Sequence, residues 1–466
     1  MSFIKKDFLL RSLTAQKLYF DYAEPMPIFD FHCHLIPEQI ATDKRFDNIT
    51  ELWLGGDHYK WRLMRFGGVA EKLIMGDGDN KSKFMHYCKV LPSAIGNPVY
   101  HWSHLELLRF FDIEDEISIE IAEYLWEQCN KKIASPNFSA QKLMLRANVN
   151  YVCTSDDPVD DLKYHQHLAA QDDFRTGVFP TYRPDKALAI DNQNFIDYVE
   201  KLAARSGIRL DSYQNYCRAL SNRIDFFHQQ HCRMSDHGLD LMRYIPATPS
   251  ELEHIFEKAL NRDPLSAKEV IQFRTETLCF LASRYAQLNW TMQIHIGAMR
   301  SVNSRMLAHL GRDCGYDSPT DRPCLDDLVL LLNRMEQQES LPDTLLFSLN
   351  PTLDSALATL AGNFPGDKAL AKVQPGPAWW HNDHKVGMEN QLTAFGNALL
   401  LGHFIGMTTD SRSFLSYPRH EYFRRILCNF VGDLIERGEY TNQLSVAGGM
   451  IQNICYFNAE RKYFKK

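Results

Sequence analysis

The sequence is short of the features that mark secreted, membrane and nucleic-acid-binding proteins. No CxxC pair occurs, and the eleven cysteines are scattered and odd in number. That argues against a disulfide framework and for reduced thiols, so a cytoplasmic protein is expected. No apolar stretch approaches the roughly 20 residues of a membrane span, and segment 1–7 lacks a signal-like apolar region. Basic charge is not in excess: 51 Lys and Arg face 58 Asp and Glu, a net charge of −7. A general nucleic-acid surface is therefore not expected, and an anionic ligand would need a local cluster of arginines. No repeat or low-complexity tract stands out. What remains is an ordinary globular composition, 45% hydrophobic and 23% charged, in a chain long enough for a barrel with an insertion.

Short apolar runs recur, each ending in polar or reactive residues. They are Ile28–His34, Asn150–Asp157, Gly177–Arg183, a weaker run to His237, Thr291–His295, Leu345–Asn350, Lys372–Pro375 and Gly406–Asp410. Between them lie helical patterns: Phe195, Ile196, Val199, Leu202 and Ala203 recur at helical spacing, and Ser250–Glu253 and Ser266–Glu269 fit capping boxes. About eight strands alternating with helices predict an α/β fold, a (β/α)8 TIM-type barrel, with an open doubly wound sheet as the alternative. The interval 35–141, with Trp53, Trp61, Trp102 and Trp126, is too long for a plain loop. It is expected to be a mostly helical insertion over the barrel mouth. Residues 1–34 would then carry the first strand and 142–466 the rest of the barrel.

His32 and His34 stand two apart at the end of the first run, so their imidazoles can face one metal ion. Two ligands do not make a site. Asp410, at the end of the eighth run, is the best third ligand, although a lone aspartate there could equally cap a turn. His295 could be a ligand, a hydrogen-bonding electrophile or a satisfied core histidine. Arg183 and Arg412 suit a carboxylate, which a guanidinium grips through two parallel hydrogen bonds, or else a structural ion pair with Asp157 or another acid. Tyr59, in Asp57–Arg62, is by default a packing residue.

Taken together, Phe29–Leu35, Asp57–Arg62, Pro180–Asp185, Ser235–Gly238, Gln293–Arg300, Trp379-Trp380 and Thr409–Ser413 resemble the uronate (glucuronate) isomerases of the amidohydrolase superfamily, in order and over nearly the whole chain. The resemblance implies conversion of D-glucuronate to D-fructuronate and of D-galacturonate to D-tagaturonate. It implies one divalent metal, zinc by preference, on His32, His34 and Asp410. It implies substrate contacts from Arg183, Arg412, Tyr59, Asp236, His295 and Trp380. Asn350 stands where a second-metal histidine is expected, and no bridging lysine accompanies Asp236-His237, which argues against a binuclear hydrolase. The expected chemistry is ring opening and C2-to-C1 proton transfer through an enediol, with Asp410 and Tyr59 moving protons; a hydride shift is the rival. A metal-dependent hydrolase and a sugar-acid binding protein are the other function classes. The expected partner is a small hexuronate, with no nucleic acid or membrane; self-association is an expectation without an interface signature.

Overall fold

The computed structural model describes residues 3–366 and 370–464. Seven strands form one parallel sheet in chain order: β1 (Ile28–Asp30), β2 (Val149–Asp156), β3 (Gly177–Tyr182), β4 (Met234–Asp240), β5 (Thr291–Ile296), β6 (Asp343–Ser348) and β7 (Val373–Pro375). Each neighbour pair is parallel, so each connection must cross over the sheet, here through helices. Every residue of β5 is buried, because a parallel sheet is covered on both faces.

The sheet curls. Phe29 and Phe31 from the first strand and its end, Cys153 from β2, Met234 from β4 and Leu345 and Phe347 from β6 share one buried cluster. The C-terminal helix Asn458–Phe464 adds Tyr463 to it, 5.4 Å from Phe29 and 5.1 Å from Phe179 between ring centroids.

The eighth run departs from expectation: Gly406–Asp410 forms no strand. Gly406 and Asp410 have φ of +96° and +45°, and such left-handed residues break an extended ladder. The segment is fastened to the end of β1 by other means. Thr408 Oγ1 and the Thr409 amide each donate to Asp30 Oδ1 at 2.8 Å, and the Asp410 amide donates to the His32 carbonyl at 3.2 Å. The His34 amide donates to the Ser411 carbonyl at 2.9 Å. Asp30 is fully buried, so its hydrogen bonds to this segment are shielded from water.

Helix Phe195–Ser206 and the Ser266–Glu269 capping box form where the pattern places them. The other box is shifted: Thr248 caps helix Pro249–Leu260, and Glu251 rather than Glu253 returns the bond. Pro249 explains this, since its fixed φ and missing amide suit the first helical position. Between β1 and β2 the regular structure of the described chain is helical apart from an Arg45–Ser139 bridge. Its Trp53, Trp61 and Trp102 pack in one apolar cluster with Leu415, Tyr422 and Phe423 from near the other end of the chain. No described helix is long and apolar enough to cross a membrane.

Candidate active site

His32 and His34 lie just past β1, and the fastened segment brings Asp410 to them across the curled sheet. Both imidazoles aim Nε2 at Asp410 Oδ1, at 3.1 and 2.9 Å. Trp379 Nε1 donates to the other oxygen, Oδ2, at 2.8 Å and so fixes the plane of the carboxylate. Burial acts to raise the Asp410 carboxyl, but the hydrogen bonds and charge of His32 and His34 hold it well below the usual range. Burial pushes His34 down to about 4, so its imidazole is neutral and able to ligate near neutral pH.

A second donor group shares His32. His295, Asp236 and His32 are buried, and their ligand atoms lie within 4.8 Å of one another. His295 Nδ1 lies 2.8 Å from Asp236 Oδ1, out of line for a well-formed hydrogen bond. His32 Nδ1 and His295 Nε2 also lack a hydrogen-bond partner among the described residues. Buried polar atoms without partners are costly, and here they belong to nitrogen and carboxylate donors converging on one space. Such a set fits a divalent first-row ion. His295 is held flat against Phe347, with ring centroids 4.2 Å apart, which orients its ring.

The arginines differ from each other. Arg183 is already engaged by two carboxylates, Nε on Asp185 Oδ2 at 2.9 Å and Nη1 on Asp236 Oδ2 at 3.0 Å; Asp157 instead pairs with Lys186 at 3.1 Å. Burial acts to raise Asp236, but Arg183 together with His295 and His32 outweighs it and keeps it well below the carboxylate range. Among the described residues Arg412 has only a loose ion pair, 3.9 Å to the exposed Asp313, and it remains about one-third exposed. Gly56 abuts it: a Cβ there would come within 3.0 Å of the Arg412 Cβ.

Helix His58–Phe66 carries Tyr59. Asp57 caps it, with Oδ1 accepting the Tyr59 amide at 3.0 Å. The Tyr59 hydroxyl donates to Asp383 Oδ2 at 2.7 Å. Burial, then Asp383, pushes the phenol well above its ordinary range. Trp380 is buried beside His58, 4.8 Å between ring centroids, under the Arg300 guanidinium at 5.1 Å; its Nε1 has no hydrogen-bond partner among the described residues, whereas that of its neighbour Trp379 donates to Asp410. Asn350 Nδ2 donates to the Thr320 carbonyl at 3.0 Å, a structural tie where a second-metal ligand would stand.

Two residues of this site have no place in the sequence reading: Trp379 as the partner of Asp410, and Asp383 as the partner of Tyr59. The paired tryptophans were a usable signal, with an acid three residues beyond them.

The model of the glucuronate isomerase family matches residues 1–464. The chain belongs to this family. It is 49% identical over 458 residues to the uronate isomerase of Caldanaerobacter subterraneus subsp. tengcongensis, covering 98% of each chain. It is 45% identical over 464 residues to that of Clostridium perfringens, covering 100% of this chain and 99% of the relative. The crystal structure of uronate isomerase from Thermotoga maritima superimposes with a TM-score of 0.93 at 33% identity, covering 100% of both chains. That of glucuronate isomerase from Caulobacter crescentus gives 0.91 at 25% identity, covering 99% and 97%. The glucuronate isomerase family therefore matches the described chain from its first strand to its C-terminal helix.

Proposed function

We propose that the protein is an aldose–ketose isomerase that interconverts D-glucuronate and D-fructuronate, and D-galacturonate and D-tagaturonate. The observation that carries this reading is the convergence of His32, His34 and Asp410 at one end of the sheet, in a chain matched over its whole described length by glucuronate isomerases. We read the fold as a (β/α)8 barrel closed by the 406–410 segment, with 35–141 as an insertion over the mouth and 142–466 completing the barrel. His32, His34 and Asp410 would hold one divalent ion, zinc by preference, which supplies Lewis-acid polarisation of substrate oxygens. We also take the enzyme to be cytoplasmic and to self-associate.

The residues divide the remaining work. After ring opening exposes the C1 aldehyde, the Asp410 carboxylate takes the C2 proton to give a cis-enediol, exchanges it with solvent and delivers a proton to C1. Trp379 keeps that carboxylate in one orientation, a pre-organisation of the base. Tyr59 exchanges a proton with the substrate oxygens. Asp236 and His295 line the pocket, with Trp380 behind them. Arg412, the less engaged guanidinium, grips the C6 carboxylate, while Arg183 holds Asp236 in its charged form.

Mixing the protein with D-glucuronate is expected to yield ketose, with bound metal measured in the same sample. In deuterated water, deuterium is expected at C1 of the product; complete carry-over of a C2 deuterium into C1 would overturn proton transfer in favour of a hydride shift. Arg412→Met is expected to raise KM for D-glucuronate roughly 10- to 100-fold with a smaller change in kcat, since a carboxylate grip acts alike on ground and transition states. A KM within twofold of wild type would move the carboxylate site elsewhere.

A further inference from the structure

Behind Tyr59 stands a carboxyl group that the reaction as described leaves without a task. Asp383 lies in the turn after Trp379-Trp380, with Oδ2 at 2.7 Å from the Tyr59 hydroxyl. It is 6% exposed, and Oδ1 has no hydrogen-bond partner among the described residues. A buried acid with one tie and one bare oxygen is costly, and an asparagine would keep the tie without a charge to bury. We propose that Asp383 is a positioning residue that acts through Tyr59, storing and returning the proton that Tyr59 exchanges with the substrate oxygens. This rests on the isomerase reading.

The conversion moves two protons, C2–H to C1 and O2–H to O1, and Asp410 serves the carbons. In the first half, Asp410 takes the C2 proton. The C2–H electron pair becomes the C1=C2 bond, and the C1=O1 π pair moves to O1. With Asp383 neutral the 2.7 Å hydrogen bond turns round, the acid donating to the phenol oxygen; O1 takes the Tyr59 proton, and Tyr59 takes that of Asp383. In the second half, the O2 proton passes to Tyr59 and the Tyr59 proton returns to Asp383. The freed O2 pair becomes the C2=O2 bond, and the C1=C2 pair takes the proton from Asp410 at C1. Asp383 begins and ends neutral, and no oxidant or reductant is required.

The surroundings supply the neutral form. Burial lifts Asp383 to about 7 against the opposing pull of Arg419 and the Tyr59 hydrogen bond, with the Asp410 charge adding to the rise. Tyr422, on the same helix as Arg419, also feels this carboxyl. Arg419 is itself tied to Asp57 Oδ2 at 3.2 Å. Because the neutral acid is the working form, kcat should fall as pH rises through about 7, in both directions of reaction.

The test uses Asp383→Asn, which keeps an acceptor for the phenol and cannot carry the proton. The expected result is a kcat lowered roughly 30- to 300-fold in both directions, with KM changed less than about threefold. The unfolding midpoint should hold while the alkaline limb of the pH profile disappears. In a Tyr59→Phe background the same substitution should cost less than about twofold, because the two groups act as one unit. Wild-type kcat with the limb intact, or an equal loss in both backgrounds, overturns the inference. If Asp383→Asn does not fold, Tyr59→Phe decides alone: loss of the limb supports the relay and its retention overturns it. Absence of ketose from the wild-type protein overturns the isomerase reading and this inference with it. Ketose from wild type with Asp383→Asn unaffected overturns this inference only.

Discussion

Asp410→Asn is expected to lower kcat by roughly 1,000-fold or more while the protein stays folded. The substitution removes the proposed base and replaces a charged ligand by an amide, so bound metal should fall as well. Folding should survive, because the segment is fastened through the Asp410 amide, through Thr408 and Thr409, and through Asp30, none of which uses the Asp410 side chain. The measurements are ketose formation, metal per chain and the thermal midpoint on one preparation. A variant that keeps kcat within tenfold of wild type would remove Asp410 from the chemistry. One that loses metal but recovers its rate at high metal concentration would leave it only a ligand.

Lys60→Met is expected to be the most damaging single change to stability, at roughly 3–5 kcal/mol. Lys60 is 1% exposed, and its Nζ lies 3.1 Å from Asp57 Oδ2 and 3.0 Å from Glu106 Oε2. With Arg419, also on Asp57, it balances two buried carboxylates with two buried cations. Methionine fills much of the volume but leaves one buried negative charge without its partner. The double variant Lys60→Met/Glu106→Gln should recover part of the loss, because it removes the orphaned charge too. If the double variant melts no higher than the single one, packing and not charge balance holds this layer.

The same cluster has a pH signature with opposing parts. Burial acts to raise Asp57, but Lys60 and Arg419 overcome it and bring the carboxyl from 3.8 down to about 2. Its contribution to stability is thus present above about pH 4 and lost as pH falls toward 2. Glu106 is raised, chiefly by burial, and works in the other direction once both states ionise.

The sheet was largely readable because its strands are local events. Seven of the eight apolar runs coincide with strands, each short and mostly buried. The eighth failed for a reason that composition hides: its donors go to the side chain of Asp30 rather than to a neighbouring strand. Within the candidate site, the convergence of His32, His34 and Asp410 was legible from residue type and position at run ends. Asp383 was not, since 324 residues separate it from Tyr59 and nothing periodic marks such a pair. The engagement of Arg183 by Asp236 was hidden for the same reason, whereas Asp185 lies only two residues away. A guanidinium advertises affinity for any carboxylate, and only the fold decides whether that carboxylate is a substrate or a neighbour.

The fastening of the 406–410 segment to the end of β1 also governs when the enzyme can come into being. His32 and Asp410 are 378 residues apart. At about 5–20 residues per second, a ribosome needs roughly 20–75 s between making the first and the second. For all that time the two histidines are out on a growing chain without the carboxylate that completes their set. On the proposed reading the His32, His34 and Asp410 set is complete only in the finished polypeptide, and a chain released early, however much of its sheet it has built, would lack it.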